Sequence, residues 1–392
     1  MLKPHYNQIK NKIVNLFNHK IILIFLLFII GISFADILMP SKNFSEIENR
    51  TLKELPKFSF TSFLKGSFSS NYEKYIDDQF IMRDSWINMK SFSEKLLMKK
   101  ENNNILLGEH NYLFEKVSYL TEDESSLLQK NISLISKFLK NYKGNKSFMI
   151  VPSSYEIYKD LAPKHVPLIN QSKYISDIYS TIENHDNSIN TINILPTLIK
   201  NKDNYIYYRT DHHWTTKGAY LAYEQFKTER KFPQKHKNYS HPVNTVENFY
   251  GTYFSKSKNF NAVPDTINYY DFNNLTVDID GKSYDSIYDL NKFNGRDKYE
   301  AFLHGNNGLT VMTNTKIAPE GKNKRILLFK DSYANCFAPF LTEDFEEVWV
   351  IDLRSYNNKI SELLKNNSFD EILIEYSFSN LIKDTNIIKL NW

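Results

Sequence analysis

Hydrophobic positions fall into three regimes along this chain. From Ile21 to Met39, "IILIFLLFIIGISFADILM", the residues are apolar apart from Ser33 and Asp36. That run is close to the ~20 residues that span a bilayer. From Phe63 to about Lys99, Tyr72, Tyr75, Ile76, Phe80, Trp86, Ile87 and Met89 sit near helical spacing with charges between them, which predicts helix. After residue 100, short apolar runs alternate with amphipathic stretches. Ile105–Glu115 reads as strand, turn at Gly108 and strand; 125–144 as an amphipathic helix closing at Gly144; and "SFMIVPSSYEIY" as a buried strand ending at Pro152.

"NILPTL" then enters the core, and "NYIYYRTDHHW" reads as a strand running into a loop. "TTKGAYLAYEQFKTE" is a helix capped by Thr215 or Thr216. Between about 230 and 322 the rhythm stops in a polar, Tyr- and Asn-rich stretch, read as an insertion of short antiparallel strands and loops. It resumes as strand "RILLFKD", helix "SYANCFAPFLTED", strand "EEVWVIDLR", helix "NNKISELLKNN" and strand "DEILIEYSF". Strands alternating with helices argue for a parallel sheet covered by helices. The division expected is 1–20 basic N-terminus, 21–39 membrane segment, 40–100 connector and helical segment, and 101–392 α/β domain carrying the insertion. No internal repeat is visible.

Composition changes this picture in three places. The chain has 392 residues, 49 Lys+Arg against 45 Asp+Glu, and a net charge of +4, a balance that gives no reason to expect nucleic acid. Cys336 is the only cysteine, so neither an intramolecular disulfide nor a Cys-based metal site is available; it reads as a packing residue. Lys3, Lys10, Lys12 and Lys20 precede the apolar run with no acidic residue among them. A basic flank stays cytoplasmic and sends the rest of the chain outward. The run is then an uncleaved single-pass anchor or, with "SFA" before Asp36, a cleaved signal peptide.

Candidate chemistry lies in two stretches. In "YYRTDHHWTTKGAY" (207–220), an extended backbone places Asp211 and His213 on one face and His212 on the other. Such a carboxylate can take the imidazole Nδ1–H and leave Nε2 as a base, with Trp214 walling the site. A metal site that also uses Asp331, or a capped helix start with a hydrogen-bonded histidine, fits the same residues. In "RILLFKDSYANCF" (325–337) an apolar strand ends at Asp331-Ser332 and passes into a helix. Ligands on open α/β sheets bind at strand carboxyl ends, and a serine at a helix N-terminus meets free N–H groups. Ser332 or Asp331 as a plain N-cap is the competing use. A serine lacking a base and an Asp-x-His pair lacking a nucleophile complete each other.

Asp211-His212-His213-Trp214 resembles the signature of the DHHW family of bacterial extracytoplasmic proteins, which is similar to the alginate O-acetyltransferase group of the SGNH hydrolase-like fold. The stretches 44–59, 75–86, 105–114, 151–163, 249–257, 329–341 and 350–356 resemble the family in the same order, so the likeness spans about residues 44–380. It implies an SGNH-like central parallel sheet flanked by helices, with Ser332 as nucleophile, His213 as base and Asp211 orienting it. The serine motif comes after the Asp/His motif, the reverse of ordinary SGNH esterases. Lys330 stands where those enzymes have the glycine of "GDS". The Ser332 N–H and, by analogy, Asn306 in "HGNNG" are the oxyanion donors implied, with Arg209, Trp214 and Tyr333 as further substrate-binding candidates.

The activity implied is O-acetylation of a cell-surface or secreted polysaccharide beside a membrane-bound O-acyltransferase, with no cofactor or metal. An esterase with the same triad, a non-catalytic glycan-binding scaffold and a metal phosphoesterase on Asp211, His213 and Asp331 are the alternatives. His212 is expected as a supporting neighbour of the base or a solvent-facing residue rather than as a ligand, Arg354 at the surface, and glycan recognition in the insertion.

Overall fold

Four largely buried strands pair in parallel, as strands buried on both faces do, and a short fifth, Asn190–Ile192, pairs parallel with them at the sheet edge. In the computed structural model, residues 3–45, 48–232, 243–259, 262–315 and 324–392 are described. They form two compact units, Met1–Leu96 and Leu97–Trp392. The central sheet of the second unit contains β1 (Asn145–Val151), β2 (Asn190–Ile192), β3 (Leu275–Ile279), β4 (Lys282–Tyr284), β5 (Leu309–Asn314), β6 (Arg325–Lys330), β7 (Glu347–Ile351) and β8 (Glu371–Ser377). Their spatial order is β4-β3-β5-β7-β6-β8-β1-β2. From β7 to β2 all pairings are parallel; β5, β3 and β4 extend the β7 edge in antiparallel fashion. The polar stretch 230–322 therefore supplies antiparallel strands, but three of them join the central sheet. A separate pair, Val243–Phe249 with Asp265–Tyr270, lies outside it. The parts of that stretch at 233–242, 260–261 and 316–322 lie outside the described residues.

Register decides which side chains share a face. Phe329, Ile374 and Phe148 form one row. Phe138 of α1 (Glu122–Asn141) meets Phe329 edge-on at 5.4 Å, and Tyr179 of α2 (Gln171–His185) meets Phe148 at 6.1 Å. The next row, Lys330, Glu375 and Met149, faces the other way. α1 starts earlier than the 125–144 pattern because Thr121 and Glu124 close a capping box. α3 (Thr216–Glu229) is capped by Thr215, whose hydroxyl accepts from Gly218 N at 3.3 Å.

Two expectations change and one holds. "NYIYYRTDHHW" is not a strand: it is a loop closed by a single antiparallel bridge between Tyr207 and Trp214. "NILPTL" does enter the core, with Ile194, Leu195 and Leu198 buried, and it does so in a short helix, Leu195–Lys200, with Pro196 in its first turn, where a missing N–H costs nothing. "SYANCFAPFLTED" is a 3-10 turn, Ser332–Asn335, and a short helix, Ala338–Leu341, separated where Pro339 sets a new start.

In the first unit the helix Lys3–Leu38 contains one window, His19–Asp36, long and apolar enough to cross a membrane. The helical pattern of 63–99 is broken into Phe60–Leu64, Ser67–Gln79 and Arg83–Leu96. The breaks fall at Gly66, in the left-handed region at φ 73°, and at extended Phe80 with left-handed Met82 beyond it. Asp78 ties this unit together by accepting from Arg50 through both oxygens, at 2.9 and 2.5 Å, and from Lys53 N.

Candidate active site

The loop 205–214 carries almost no regular backbone pairing, so side chains must hold it. Buried Asp265, at the start of the strand Asp265–Tyr270, does most of this. It accepts from Arg209 N at 2.9 Å, Thr210 N at 2.7 Å, Thr210 Oγ1 at 2.5 Å and the Tyr205 hydroxyl. Asp211 then makes a local turn of its own, its Oδ1 accepting from His213 N at 2.9 Å. An aspartate bonding two residues ahead fixes a turn without a strand. Asp211 and His213 thus meet as strand alternation predicts, but through a turn rather than an extended backbone.

The remaining contacts run in a line. His213 Nδ1 lies 2.6 Å from Asp211 Oδ1, and His213 Nε2 lies 2.8 Å from Ser332 Oγ. Asp211 Oδ2 accepts from Thr252 N at 2.7 Å. Asp211 and His213 are buried, and Ser332 is half-buried at the carboxyl end of β6. Burial alone would raise the Asp211 carboxyl. The adjacent His212 and His213 and the Thr252 N–H outweigh it and hold the group below the usual carboxylate range. Burial, then repulsion from His213, lowers His212 to about 4, so His212 is neutral at neutral pH. Its ring lies 3.8 Å from that of His213, centroid to centroid.

Gly251 explains how the carboxylate is approached so closely. A Cβ at this position would lie 2.2 Å from Asp211 Cβ and 2.3 Å from Oδ2. Tyr299, from the polar insertion, stacks flat on His213 with centroids 3.8 Å apart and 10° between planes. Its hydroxyl donates to Ser332 O at 3.1 Å. Neither Asp265, Gly251 nor Tyr299 belongs to a motif that sequence reading singles out, though Gly251 lies in a stretch, "FYGTYF", on which the family likeness rests.

The serine turn is built by Asp331. Its Oδ1 accepts from Tyr333 N at 2.9 Å, which makes it the N-cap, and its Oδ2 accepts from Ser377 N, Ser377 Oγ and Asn380 Nδ2 at 2.8, 2.6 and 2.8 Å. With four donors on it, Asp331 joins β6 to β8 and does not supply a ligand with Asp211 and His213. The ligand atoms of Asp211, His212 and His213 do lie within 4.8 Å of one another. A cation there would displace the Nδ1–H from Asp211 Oδ1. Because the turn is 3-10 and short, Ser332 gains no long-helix dipole. Its N–H opens the turn and has no partner among the described residues.

The other sequence candidates separate. Trp214 is wholly buried, and its indole N–H donates to Tyr333 O at 2.9 Å, so it lies beneath the serine turn rather than on a substrate-facing wall. Tyr333 is buried as well, and its hydroxyl donates to His212 O. Arg209 stacks over Tyr205 at 4.6 Å and Tyr112 at 5.8 Å, with Nη1 3.9 Å from Asp265; among the described residues it does not touch Ser332 or His213. Asn306 is exposed and is linked to the residues flanking Ser332: its Oδ1 accepts from Lys330 Nζ at 2.9 Å and from Asn335 Nδ2 at 3.2 Å. Arg354 binds Asp352 through Nε and Nη2 at 2.8 and 2.5 Å. Cys336 is buried, and burial pushes its thiol up to about 12.

Solved structures carry the same fold. A DHHW family protein from Eubacterium siraeum is 22% identical with a TM-score of 0.59, covering 74% of this chain and 96% of that one. Bacillus cereus PatB1 with a sulfonyl adduct is 20% identical with a TM-score of 0.56, covering 72% and 97%. A second PatB1 structure gives 21%, 0.54, 72% and 98%. The arrangement is the SGNH-hydrolase-like one expected, an α/β fold around a mainly parallel sheet. No curated protein matches the chain by sequence. The family described as DHHW protein matches residues 101–351, a span holding the Asp-His-His-Trp loop, Gly251, Tyr299 and the serine turn, and the chain is a member of that family.

Proposed function

We propose that this protein is an extracytoplasmic O-acetyltransferase that works through an acetyl-serine at Ser332. The observation that carries the reading is the line Asp211 Oδ1–His213–Ser332 Oγ, with separations of 2.6 and 2.8 Å. In the first half-reaction His213 Nε2 takes the Ser332 proton as Oγ bonds to the donor's acetyl carbon. Asp211 accepts the Nδ1–H and stabilises the imidazolium. The Ser332 N–H and Asn306 Nδ2 donate to the oxyanion. The imidazolium then protonates the leaving group. In the second half His213 deprotonates a sugar hydroxyl, which attacks the ester carbon and releases Oγ, reprotonated by His213.

The acetyl group and the polysaccharide acceptor rest on the sequence likeness to alginate O-acetyltransferases. The sulfonyl adduct of PatB1 accords with a reactive nucleophile on this fold. The helix containing His19–Asp36 would hold the domain at the outer face of the membrane, beside a membrane-bound O-acyltransferase that delivers the acyl group. Hydrolysis of the same intermediate would make the protein an esterase; only the acceptor differs.

The test is mass spectrometry of the full chain incubated with p-nitrophenyl acetate, alongside Ser332→Ala. One acetyl group on the peptide containing Ser332, absent in the variant, supports the reading. Transfer to a polysaccharide hydroxyl in competition with water then separates transferase from esterase. No adduct and no Ser332-dependent ester cleavage would refute the acyl-serine.

A further inference from the structure

We infer that Lys330 is a positioning residue that orients the Asn306 amide as an oxyanion donor. The inference rests on the acyl-serine reading of Ser332 and extends it to a residue for which ordinary SGNH enzymes have glycine. Lys330 is 2% exposed, two residues before Ser332 on the row of β6 that faces away from α1 and α2. Its ammonium meets three acceptors: Asn306 Oδ1 at 2.9 Å, Asn335 Oδ1 at 2.7 Å and Asp352 Oδ2 at 3.1 Å. An ammonium has three hydrogens and no acceptor, so nothing remains to offer a substrate. Lys330 therefore acts through its neighbours.

A primary amide can be turned over, exchanging its oxygen and nitrogen with little change in shape. Asn306 cannot be, because its NH2 would then face an ammonium and the Asn335 NH2. The same cation fixes Asn335, whose Oδ1 it holds and whose Nδ2 donates to Asn306 Oδ1 at 3.2 Å. One buried charge thus sets two amides, and the Nδ2 hydrogens of Asn306 have no partner among the described residues. The backbone is held as well: Ser355 Oγ donates to Asn306 O at 3.1 Å. Asp352 balances the charge and is itself gripped by Arg354. A neutral side chain in place of Lys330 would leave Asn306 free to flip.

The experiment is a double-mutant cycle on the rate of p-nitrophenolate release during acetylation of the full chain. Asn306→Ala is expected to slow acetylation about 100-fold, as loss of one oxyanion donor does. Lys330→Met should slow wild type by about 10-fold or more but slow Asn306→Ala by no more than about twofold, since two residues acting on one contact are not additive. KM should stay within about threefold, because the contact strengthens in the transition state. Lys330→Met leaves Asp352 without one partner, so Lys330→Met/Asp352→Asn, which removes both charges, is run beside it with a melting curve for each. Equal slowing of wild type and Asn306→Ala by a folded Lys330 variant would overturn the inference, as would an unchanged rate. Wild-type release that persists in Ser332→Ala would instead remove the acyl-serine reading, and this inference with it.

Discussion

Gly251→Ala is a one-carbon change that should disable the site from a residue bearing no functional group. The backbone does not forbid it: φ is −85°, open to any residue. The obstacle is Asp211. The added Cβ would lie 2.2, 2.3 and 2.6 Å from Asp211 Cβ, Oδ2 and Cγ, where separations under 3.0 Å are essentially never seen. Asp211 would have to retreat by roughly 1 Å, as overpacked cores do. That carboxylate holds His213 Nδ1 at 2.6 Å and Thr252 N at 2.7 Å, so a shift of this size breaks one contact or drags the imidazole away from Ser332. Misplacement by ~1 Å costs about 100-fold in rate, or about 3 kcal/mol of barrier. The stability cost should be about 1–3 kcal/mol, typical of overpacking. The assay is single-turnover acetylation by p-nitrophenyl acetate, with circular dichroism and thermal melting as fold controls. A folded Gly251→Ala protein acetylating within about twofold of wild type would refute the claim that Asp211 must sit where it does.

Three further outcomes are expected from named contacts. Glu375 is fully buried, both its oxygens lack a hydrogen-bond partner among the described residues, and burial raises its pKa well above the usual carboxyl value. The folded state thus keeps a proton that the unfolded state releases, so stability is fullest below the unfolded pKa of about 4.3 and declines by about 1.4 kcal/mol per pH unit until the folded pKa is reached. Glu375→Gln should therefore raise the melting temperature more at pH 8 than at pH 5; equal shifts at both would count against a neutral Glu375. Tyr299→Phe keeps the ring on His213 but leaves Ser332 O without its donor, and should cost about 1 kcal/mol in denaturant melts. Tyr299→Leu should cost a further ~1 kcal/mol, and a Phe variant as unstable as Leu would show that the stack contributes nothing. Asp331→Ala orphans Tyr333 N–H and Ser377 N–H and should destabilise by more than about 2 kcal/mol in buffers with or without divalent metal. A loss confined to metal-containing buffer would revive a ligand role.

Much of this protein was legible along the chain because local rules decide it. The β6, β7 and β8 runs are apolar and short, and their alternation with helices fixed an α/β class before any pairing was known. An N-cap at Thr215 or Thr216 and the candidates Asp211, His213 and Ser332 were legible for the same reason: a cap depends on immediate neighbours, and the roles proposed for the other three on chemistry few residue types possess. What periodicity could not supply was contact at distance. It placed Asp211 and His213 together through an extended backbone, whereas an aspartate turn brings them together and Asp265, more than fifty residues later, holds the loop. It read 332–344 as one helix, which Pro339 divides.

The 230–322 stretch has no rhythm because its strands pair at an edge and its contributions are single side chains. Tyr299 on His213 and Asn306 against Lys330 are such contributions; no local pattern marks Tyr299, and Asn306 is marked only by analogy within "HGNNG". Which groups could do chemistry was set along the chain, since nucleophile, base and carboxylate are properties of residue types. That they meet is a property of the folded chain alone. The distance between His213 and Ser332 is set by sheet register, a glycine without a side chain and buried carboxylates at the ends of loops.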